Sequence, residues 1–323
     1  MGALDRCSAG ASQRQVTQDV MHDKMDTTLV KIDKNFLEKI EKLGQLYYAK
    51  HLTNWPDDVL SENWWIALKF FFSHSFMRGR RDQLSHEYYT YTIKILEEFF
   101  NLNRDTNFRN LKDNSNILGS DIVKQFKKDK AIGRKNSLKH QDFKAIKEAN
   151  SLINALTTEK EIEIEWIETQ YTKKLFLGND TDIMMVLDTL KFITEENNRS
   201  NLYAYVKNKL ENGRIKDAYD ELIESIYGVN DKIASFFIRD ILMLNPNIQV
   251  DQDYAEYAFP IDTWVFNISG KLGIKSNNIQ YIKKCFIQSA TDIKLCPLKI
   301  AAGLWYLGFN CLEILMESYF YNA

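Results

Sequence analysis

The sequence predicts an all-α protein, and three observations support this prediction. Apolar residues recur at steps of three or four along most of the chain, which is the pattern of amphipathic helices. Glycine and proline are scarce, with 13 and 4 among 323 residues, whereas sandwiches and barrels use both in their many turns. Long stretches are rich in Lys, Glu, Leu and Ile. We therefore expect helical bundles that flank a cleft.

Helical periodicity defines most elements of the N-terminal half. In chain order it predicts helices over 33–50, from 61 through Phe72, over 91–100 and over 181–192, with loops at 78–82 and 101–120. Residues 158–171 fit two structures. Thr158 and Glu161 have capping-box spacing ahead of a helix, whereas the alternation of Ile162, Ile164 and Trp166 fits a strand. We predict the helix there.

The termini and the cysteines limit the class of protein. Residues 1–25 are polar, lack the apolar core of a signal peptide and are predicted to form a disordered tail. No apolar run reaches the length that spans a membrane, so no membrane partner is expected. The cysteines are scattered and form no zinc-binding set, which predicts a reducing compartment. They are Cys7, Cys285, Cys296 and Cys311.

The charge is balanced overall but clustered in one stretch. Lys and Arg total 42 against 44 Asp and Glu, giving a net charge of -2. Residues 124–147 nevertheless contain nine basic and two acidic residues. This stretch has two interpretations, a patch that contacts nucleic-acid phosphates or a solvated helix face, and the sequence leaves both open.

A helical hairpin is predicted between residues 218 and 241. One short amphipathic helix ends near Tyr227, the tight turn Gly228-Val229-Asn230 follows, and a second helix begins at Asp231. The turn needs positive φ, which Gly adopts freely and Asn tolerates. The unpaired amides and the dipole at the start of the second helix form a site for a phosphate. Residues Gly228, Val229, Asn230 and Asp231 are therefore the predicted DNA-binding residues.

Two motifs together resemble one protein family. The run Leu222-x-x-x-Ile226-Tyr227-Gly228-Val229-Asn230-x-Lys232-Ile233-Ala234 resembles the helix-hairpin-helix of the base-excision DNA glycosylase superfamily. Downstream, Pro260-Ile261-Asp262-Thr263-Trp264 is similar to the segment that carries the catalytic aspartate of that family. The resemblance covers about residues 200–310. It implies an 8-oxoguanine DNA glycosylase/AP lyase type of enzyme, with a helix-hairpin-helix glycosylase fold, acting as a monomer on damaged double-stranded DNA.

The resemblance assigns roles to particular residues. Lys232 matches the lysine of bifunctional members, which cut the glycosidic bond and then the strand, and Asp262 matches the essential aspartate. The carbonyls of Glu224, Ile226 and Val229 match positions that hold a monovalent cation, K⁺ or Na⁺, in relatives. No four-cysteine cluster follows, so an iron–sulfur cluster is excluded and no other cofactor is expected.

The chemistry independently requires these residue types. Breaking the C1′–N bond develops oxocarbenium charge, which a buried carboxylate such as Asp262 stabilises. A lysine amine captures C1′ as a Schiff base, from which β-elimination is easy. A free lysine, with a pKa of about 10.4, is neutral only about one part in a thousand near pH 7.4. The site must therefore desolvate Lys232 or use Asp262 to take its proton.

The sequence departs from the family pattern in three places. Tyr227 stands where the family usually has Pro, and Asn230 stands at the usual second Gly. The spacing from Lys232 to Asp262 is 30 residues, closer to an archaeal, all-helical, 8-oxoguanine-specific branch. Arg239 and Asp240 are predicted to form structural ion pairs. His74, His86 and His140 are predicted to be isolated, with no metal or acid–base role.

A flipped base needs a pocket with aromatic walls. The candidates are Trp264, Trp305 and Phe309, together with Tyr306 and one of Trp64 and Trp65. The predicted division of the chain is a tail at 1–25, an N-terminal helical region at 26–195 and a glycosylase domain at 196–323. Two other functions remain open, a glycosylase for an alkylated base or an oxidised pyrimidine, and a non-catalytic DNA-binding protein that keeps the hairpin.

Overall fold

The fold is described from a computed structural model. It describes residues 29–77, 82–102, 108–121, 124, 150–166, 168–249 and 251–321. The predicted tail at 1–25, residues 78–81 of one predicted loop, His140 and all of the basic stretch except Lys124 lie outside these residues. The described part of the chain is mainly α-helical, as predicted, with one two-stranded sheet.

Helices of the N-terminal half largely follow the predicted periodicity. They are α1 (Lys34–Tyr47), α2 (Asp57–Glu62), α3 (Trp64–Ser75), α4 (Asp82–Phe99), α5 (Phe108–Asp113), α6 (Ser151–Thr157) and α7 (Asp180–Glu195). A π-helical turn, Tyr48–Leu52, extends α1. The prediction of a loop over 101–120 was wrong in part, because α5 and a 3₁₀ turn at Ser115–Ile117 lie within it. Asp82, predicted to lie in a loop, is the first residue of α4.

The helix predicted over 158–171 was wrong, because this segment is an antiparallel β-hairpin. Strand β1 (Lys160–Trp166) pairs with β2 (Thr169–Leu175). Ile162 and Ile164 are buried while the alternating Glu161, Glu163 and Glu165 are exposed, which is the period of two that a half-buried strand requires. Thr158 and Glu161 have the spacing of a capping box, but the alternation of buried and exposed residues shows that the segment is a strand and not a helix.

The C-terminal half contains six helices, one of which is packed inside the protein. They are α8 (Leu202–Glu211), α9 (Ile215–Ser225), α10 (Asp231–Leu244), α11 (Thr263–Lys271), α12 (Ile279–Asp292) and α13 (Pro297–Tyr321), of which α10 is the central one. Every residue of α10 from Ile233 to Leu242 is buried. A helix that is buried on all sides must find partners for each polar group that it carries.

The first and last helices pack closely because each contributes a glycine. A methyl group added at Gly303 of α13 would lie 2.0 Å from the carbonyl oxygen of Ile40, and one at Gly44 of α1 would lie 2.0 Å from that of Lys299. This approach joins the N-terminal region to the C-terminal one. One hydrophobic cluster contains residues from both predicted regions. A second cluster joins α1 to α11, α12 and α13. The division at residue 195 stays a prediction.

Among the described residues, no helix combines the length and the apolar character needed to cross a bilayer.

We predict that Gly303→Ala lowers the free energy of unfolding by about 2 kcal/mol or more, because the new methyl group meets backbone that cannot turn aside. Gly270→Ala in α11 is the matched control. A methyl group there meets nothing within 4 Å, so stability should change by less than about 1 kcal/mol and can rise. Urea denaturation of both variants measures the difference. Equal stability of the two variants would contradict the close packing of α1 and α13.

Candidate active site

The predicted helical hairpin is present. Helix α9 ends at Ser225 and α10 begins at Asp231, and the amide of Val229 donates to the carbonyl of Ile226 at 3.1 Å. Gly228 has φ of +80°, the left-handed conformation that glycine adopts without a steric cost. The turn is therefore built around one glycine.

Asn230 does not supply the positive φ that was expected of it. Its φ is -128°, and its side chain caps α10 by accepting from the amide of Ile233 at 3.2 Å. This cap is a role that a glycine, which has no side chain, cannot fill. The amides of Asn230, Asp231 and Lys232 have no acceptor among the described residues. Amides without acceptors at the positive end of a helix dipole suit an anion, so this geometry is compatible with the anion site that the sequence predicts.

Tyr227, at the usual proline position, has an amide that proline would lack. That amide donates to Asp188 Oδ2 at 3.1 Å. The same buried carboxylate accepts from the amide and the hydroxyl of Ser120 at 2.7 and 2.8 Å. Lys124 Nζ lies 3.8 Å from Asp188 and 5.5 Å from the centre of the Tyr227 ring. The hairpin is thus fastened to α7, and Lys124, the first residue of the basic stretch, lies beside it.

Asp231 is directed toward the protein rather than toward a phosphate. Its Oδ1 accepts from the Tyr219 hydroxyl at 2.6 Å and from Lys283 Nζ at 2.5 Å. Lys283 is only 1% exposed and also donates to the carbonyl of Glu256 at 2.9 Å. The carboxylate next to the anion site is therefore paired with a cation. The backbone amide is therefore the only group of Asp231 that is available to donate to a phosphate.

Lys232 is held by the end of another helix. Its Nζ donates to the carbonyl of Met77, just beyond α3, at 2.8 Å. Burial lowers the pKa of Lys232 below its ordinary value, although the charges of Asp262 and Asp82 act in the opposite direction. Because the net direction is downward, desolvation makes more neutral amine available near neutral pH. Desolvation is thus the first of the two routes that the sequence left open.

Asp262 begins α11 and is brought toward Lys232 by the fold. Its Oδ1 caps the helix, accepting from the amide of Val265 at 2.8 Å. Its other oxygen has no hydrogen-bond partner among the described residues. The 29 residues between Lys232 and Asp262 include the rest of α10 and a 3₁₀ segment, Gln252–Ala258, that packs back against α10. The two side chains, distant in sequence, interact electrostatically.

A cavity of about 480 Å³ opens at the hairpin. It is lined by Met77, Thr181, Gly228, Val229, Asn230, Lys232 and Ile233. The structure therefore brings the Lys232 side chain and the hairpin turn to one concave surface. Asp262 acts on Lys232 without lining this cavity.

The aromatic candidates lie apart from that cavity. Trp264 packs against Gly308 of α13, where an added methyl group would lie 2.4 Å from its Cβ. Trp305 is 8% exposed and stacks on Phe309, with ring centres 5.0 Å apart and planes 7° apart. Trp305 also lies 5.9 Å from the ring of Phe236, one helical turn beyond Lys232. Trp305 and Phe309 thus belong to an aromatic cluster that contacts α10 at Phe236, one helical turn beyond Lys232.

Sequence reasoning missed a buried polar cluster on α10. His74 was expected to be isolated, but its Nε2 lies 2.9 Å from Asp240 Oδ2, which also accepts from the Tyr47 hydroxyl at 2.5 Å. His86 is also not isolated, because its Nε2 lies 2.8 Å from the carbonyl of Glu165. The predicted structural pair of Arg239 and Asp240 is confirmed, with Arg239 Nε donating to Asp240 Oδ1 at 2.8 Å. No local spacing connects His74 to a residue 166 positions later.

The predicted cation site at the hairpin stays a prediction. Of its carbonyls, that of Ile226 accepts one hydrogen bond from Val229 and keeps a second lone pair. Within the described ranges, no group of three or more His, Cys, Asp or Glu is arranged to hold a metal ion.

Comparison with known proteins gives one partial likeness. No family model matches the chain, and no solved structure matches it. A stretch of 74 residues is 40% identical to an uncharacterized protein of Methanocaldococcus jannaschii. The match covers 23% of this chain and 17% of that protein.

We predict that the amine of Lys232 titrates at a lower pH than an ordinary lysine amine, because it is desolvated. Reductive ¹³C-methylation followed by NMR titration measures each amine, and Lys232→Gln identifies the signal. Asp262→Asn, which retains a good helix cap, should lower the midpoint further because it removes a nearby anion. A midpoint equal to that of an ordinary lysine amine, or one that rises in Asp262→Asn, would contradict this account.

Proposed function

We propose that this chain is a bifunctional DNA glycosylase/AP lyase of the helix-hairpin-helix superfamily. It removes an oxidised purine, with 8-oxoguanine favoured, from double-stranded DNA. The observation that carries the proposal is the placement of a desolvated lysine amine on the anion-binding turn, within the electrostatic reach of Asp262. A surface lysine in the first turn of a helix would face an unfavourable dipole, so a structural role accounts poorly for Lys232.

The hairpin turn binds the DNA backbone. The amides of Asn230, Asp231 and Lys232 face an anion with the positive end of the α10 dipole behind them. They contact a phosphate without reading sequence, which suits an enzyme that must search undamaged DNA. K⁺ or Na⁺ on the carbonyls of Glu224, Ile226 and Val229 would add positive charge at the same turn.

Lys232 and Asp262 have different roles in the reaction. The neutral amine attacks C1′ of the flipped nucleotide, and the C1′–N bond breaks as the base leaves with its electron pair and takes up a proton. The carboxylate oxygen of Asp262 that does not cap α11 stabilises the positive charge that develops on the sugar. Loss of the ring oxygen as a hydroxyl gives the Schiff base. Removal of a C2′ proton then expels the 3′ phosphate and cuts the strand.

We predict that Lys232→Gln abolishes both strand nicking of an 8-oxoguanine:cytosine duplex and borohydride trapping, because an amide forms no Schiff base. Lys271→Gln, the same change at an exposed lysine, is the matched control and should retain both activities. Gel electrophoresis of labelled duplex measures both. Trapping that survives in Lys232→Gln would remove this lysine from the role, and a wild-type protein that neither nicks nor traps would refute the proposal.

A further inference from the structure

A second cavity lies at the far end of α10 from Lys232. Its volume of about 820 Å³ is within the range of about 300–1,000 Å³ that small-molecule pockets occupy. It is bounded by the ends of α1, α10 and α12 and by the start of α13. Lys232 and Leu242, which line different cavities, are separated by about 15 Å along α10. A ligand bound here would therefore not depend on the proposed glycosylase function.

The walls of this second cavity are mostly apolar. Several separate segments of the chain contribute the apolar residues, which include Leu242, Met243, Ile248, Ala255, Leu295 and Leu298. Protein interiors are packed closely, and apolar walls that face water lose the stabilisation that burial provides. The cavity is therefore suited to an apolar group that displaces water from these walls.

The charged side chains of this cavity are basic. Lys294 and Lys299 line it, and none of the described residues that line it is Asp or Glu. Neither lysine forms an ion pair with a described residue. Glu41, the carboxylate that reaches the start of α13, accepts from the amide of Cys296 at 2.8 Å. An anionic group in the cavity would thus meet two cations without a carboxylate on the same wall.

The start of α13 adds backbone donors beside these lysines. Pro297, its first residue, has no N–H, and the amide of Ile300 donates to the carbonyl of Cys296 at 3.0 Å. The amides of Leu298 and Lys299, two of the residues that line the cavity, have no acceptor among the described residues. The positive end of the α13 dipole thus reinforces the charge of the two lysines.

We propose that this cavity binds a long-chain fatty acid. The acyl chain lies against the apolar walls, and the carboxylate lies near Lys294, Lys299 and the start of α13. A single-chain carboxylate matches both features of the cavity, because it joins one apolar tail to one anionic head. A neutral apolar ligand would leave the lysines unpaired, and a small anion would leave the apolar walls in water.

The described start of the chain leads away from this cavity. The amide of Ile32 donates to Ser289 Oγ near the end of α12 at 3.2 Å, whereas the backbone of Val30 interacts with Tyr281 near the start of α12. Toward the N-terminus, the chain therefore moves away from Thr291, the α12 residue that lines the cavity. This direction favours a ligand from solution over the residues that precede Leu29.

The first test measures binding of dodecanoate to the full-length wild-type protein by isothermal titration calorimetry, below the concentration at which dodecanoate aggregates. We expect one dodecanoate per chain. Decanoate should bind about tenfold more weakly, because two fewer methylene groups are buried. 1-Dodecanol, which has the same chain without a charge, should also bind about tenfold more weakly, because it makes no charge-assisted contact with the lysines.

Cys296 shows where the ligand binds, because its half-buried thiol lines the cavity. Its alkylation by iodoacetamide is followed in the tryptic peptide 295–299 by mass spectrometry. At a dodecanoate concentration of about ten times the Kd, the alkylation rate should fall about tenfold, since the ligand occupies most of the protein.

One variant obstructs the cavity. Gln45 is exposed and lines it, so Gln45→Trp places an indole in the space of the acyl chain. We expect the affinity for dodecanoate to fall by at least about tenfold, because that space is filled. Gln280→Trp, the same change at an exposed glutamine near the start of α12, is the matched control and should bind as wild type does.

A double variant tests the head group. Lys294→Gln with Lys299→Gln should lower the affinity for dodecanoate about tenfold and leave that for 1-dodecanol unchanged. Lys271→Gln with Lys284→Gln removes the same charge at exposed lysines outside the cavity and should change neither affinity.

Several results would overturn the proposal. They are absence of dodecanoate binding, equal affinity for dodecanoate and 1-dodecanol, and undiminished binding in Gln45→Trp. A Cys296 that resists alkylation without ligand would show that the cavity is already covered. Alkylation that recovers on dilution would identify a second copy of this chain as the occupant, and resistance that persists would identify residues 1–28. Either occupant would contradict a fatty-acid site.

Discussion

The constraint on which the structure depends is the burial of a helix that carries charges. Helix α10 is enclosed from Ile233 to Leu242, so the carboxylate of Asp240 must be paired inside the protein. Burial alone would raise its pKa, but Arg239 and the hydrogen bonds from His74 and Tyr47 hold the pKa below its ordinary value. The carboxylate therefore stays charged and fixes the position of α10 against α1 and α3. Burial, together with the charge of Asp240, raises the pKa of the Tyr47 hydroxyl well above its ordinary value, so it remains a donor.

That fixed helix determines what its first turn can do. Asp188 anchors the hairpin from one side and Lys283 anchors Asp231 from the other. Lys232 has the carbonyl of Met77, just beyond α3, as its partner rather than a carboxylate. A carboxylate in direct contact would keep the amine charged, whereas a carbonyl in a desolvated site does not. The carboxylates near Lys232 thus act on it without contacting its amine. This arrangement favours the neutral amine, which is the form that can act as a nucleophile.

The parts predicted from sequence are those that local patterns determine. The period of α1 and α3 and the glycine of the turn are readable within a few residues, whereas the cap that Asn230 provides was not predicted. The β-hairpin was missed because three alternating apolar residues and a capping box gave opposite signals in one segment. The cluster of His74, Asp240 and Tyr47 was missed because its members are united only by tertiary packing. Tyr227 could be noted as a departure, but its partner Asp188 could not be found from spacing.

The most direct test of the central claim is to locate the covalent adduct. Wild-type protein is trapped with borohydride on abasic-site DNA, the DNA is digested, and tryptic peptides are sequenced by mass spectrometry. The account predicts the sugar adduct on Lys232, within the peptide 217–239 that trypsin then fails to cut at that residue. An adduct on another lysine, such as the buried Lys283, would show that the amine on the hairpin is not the nucleophile.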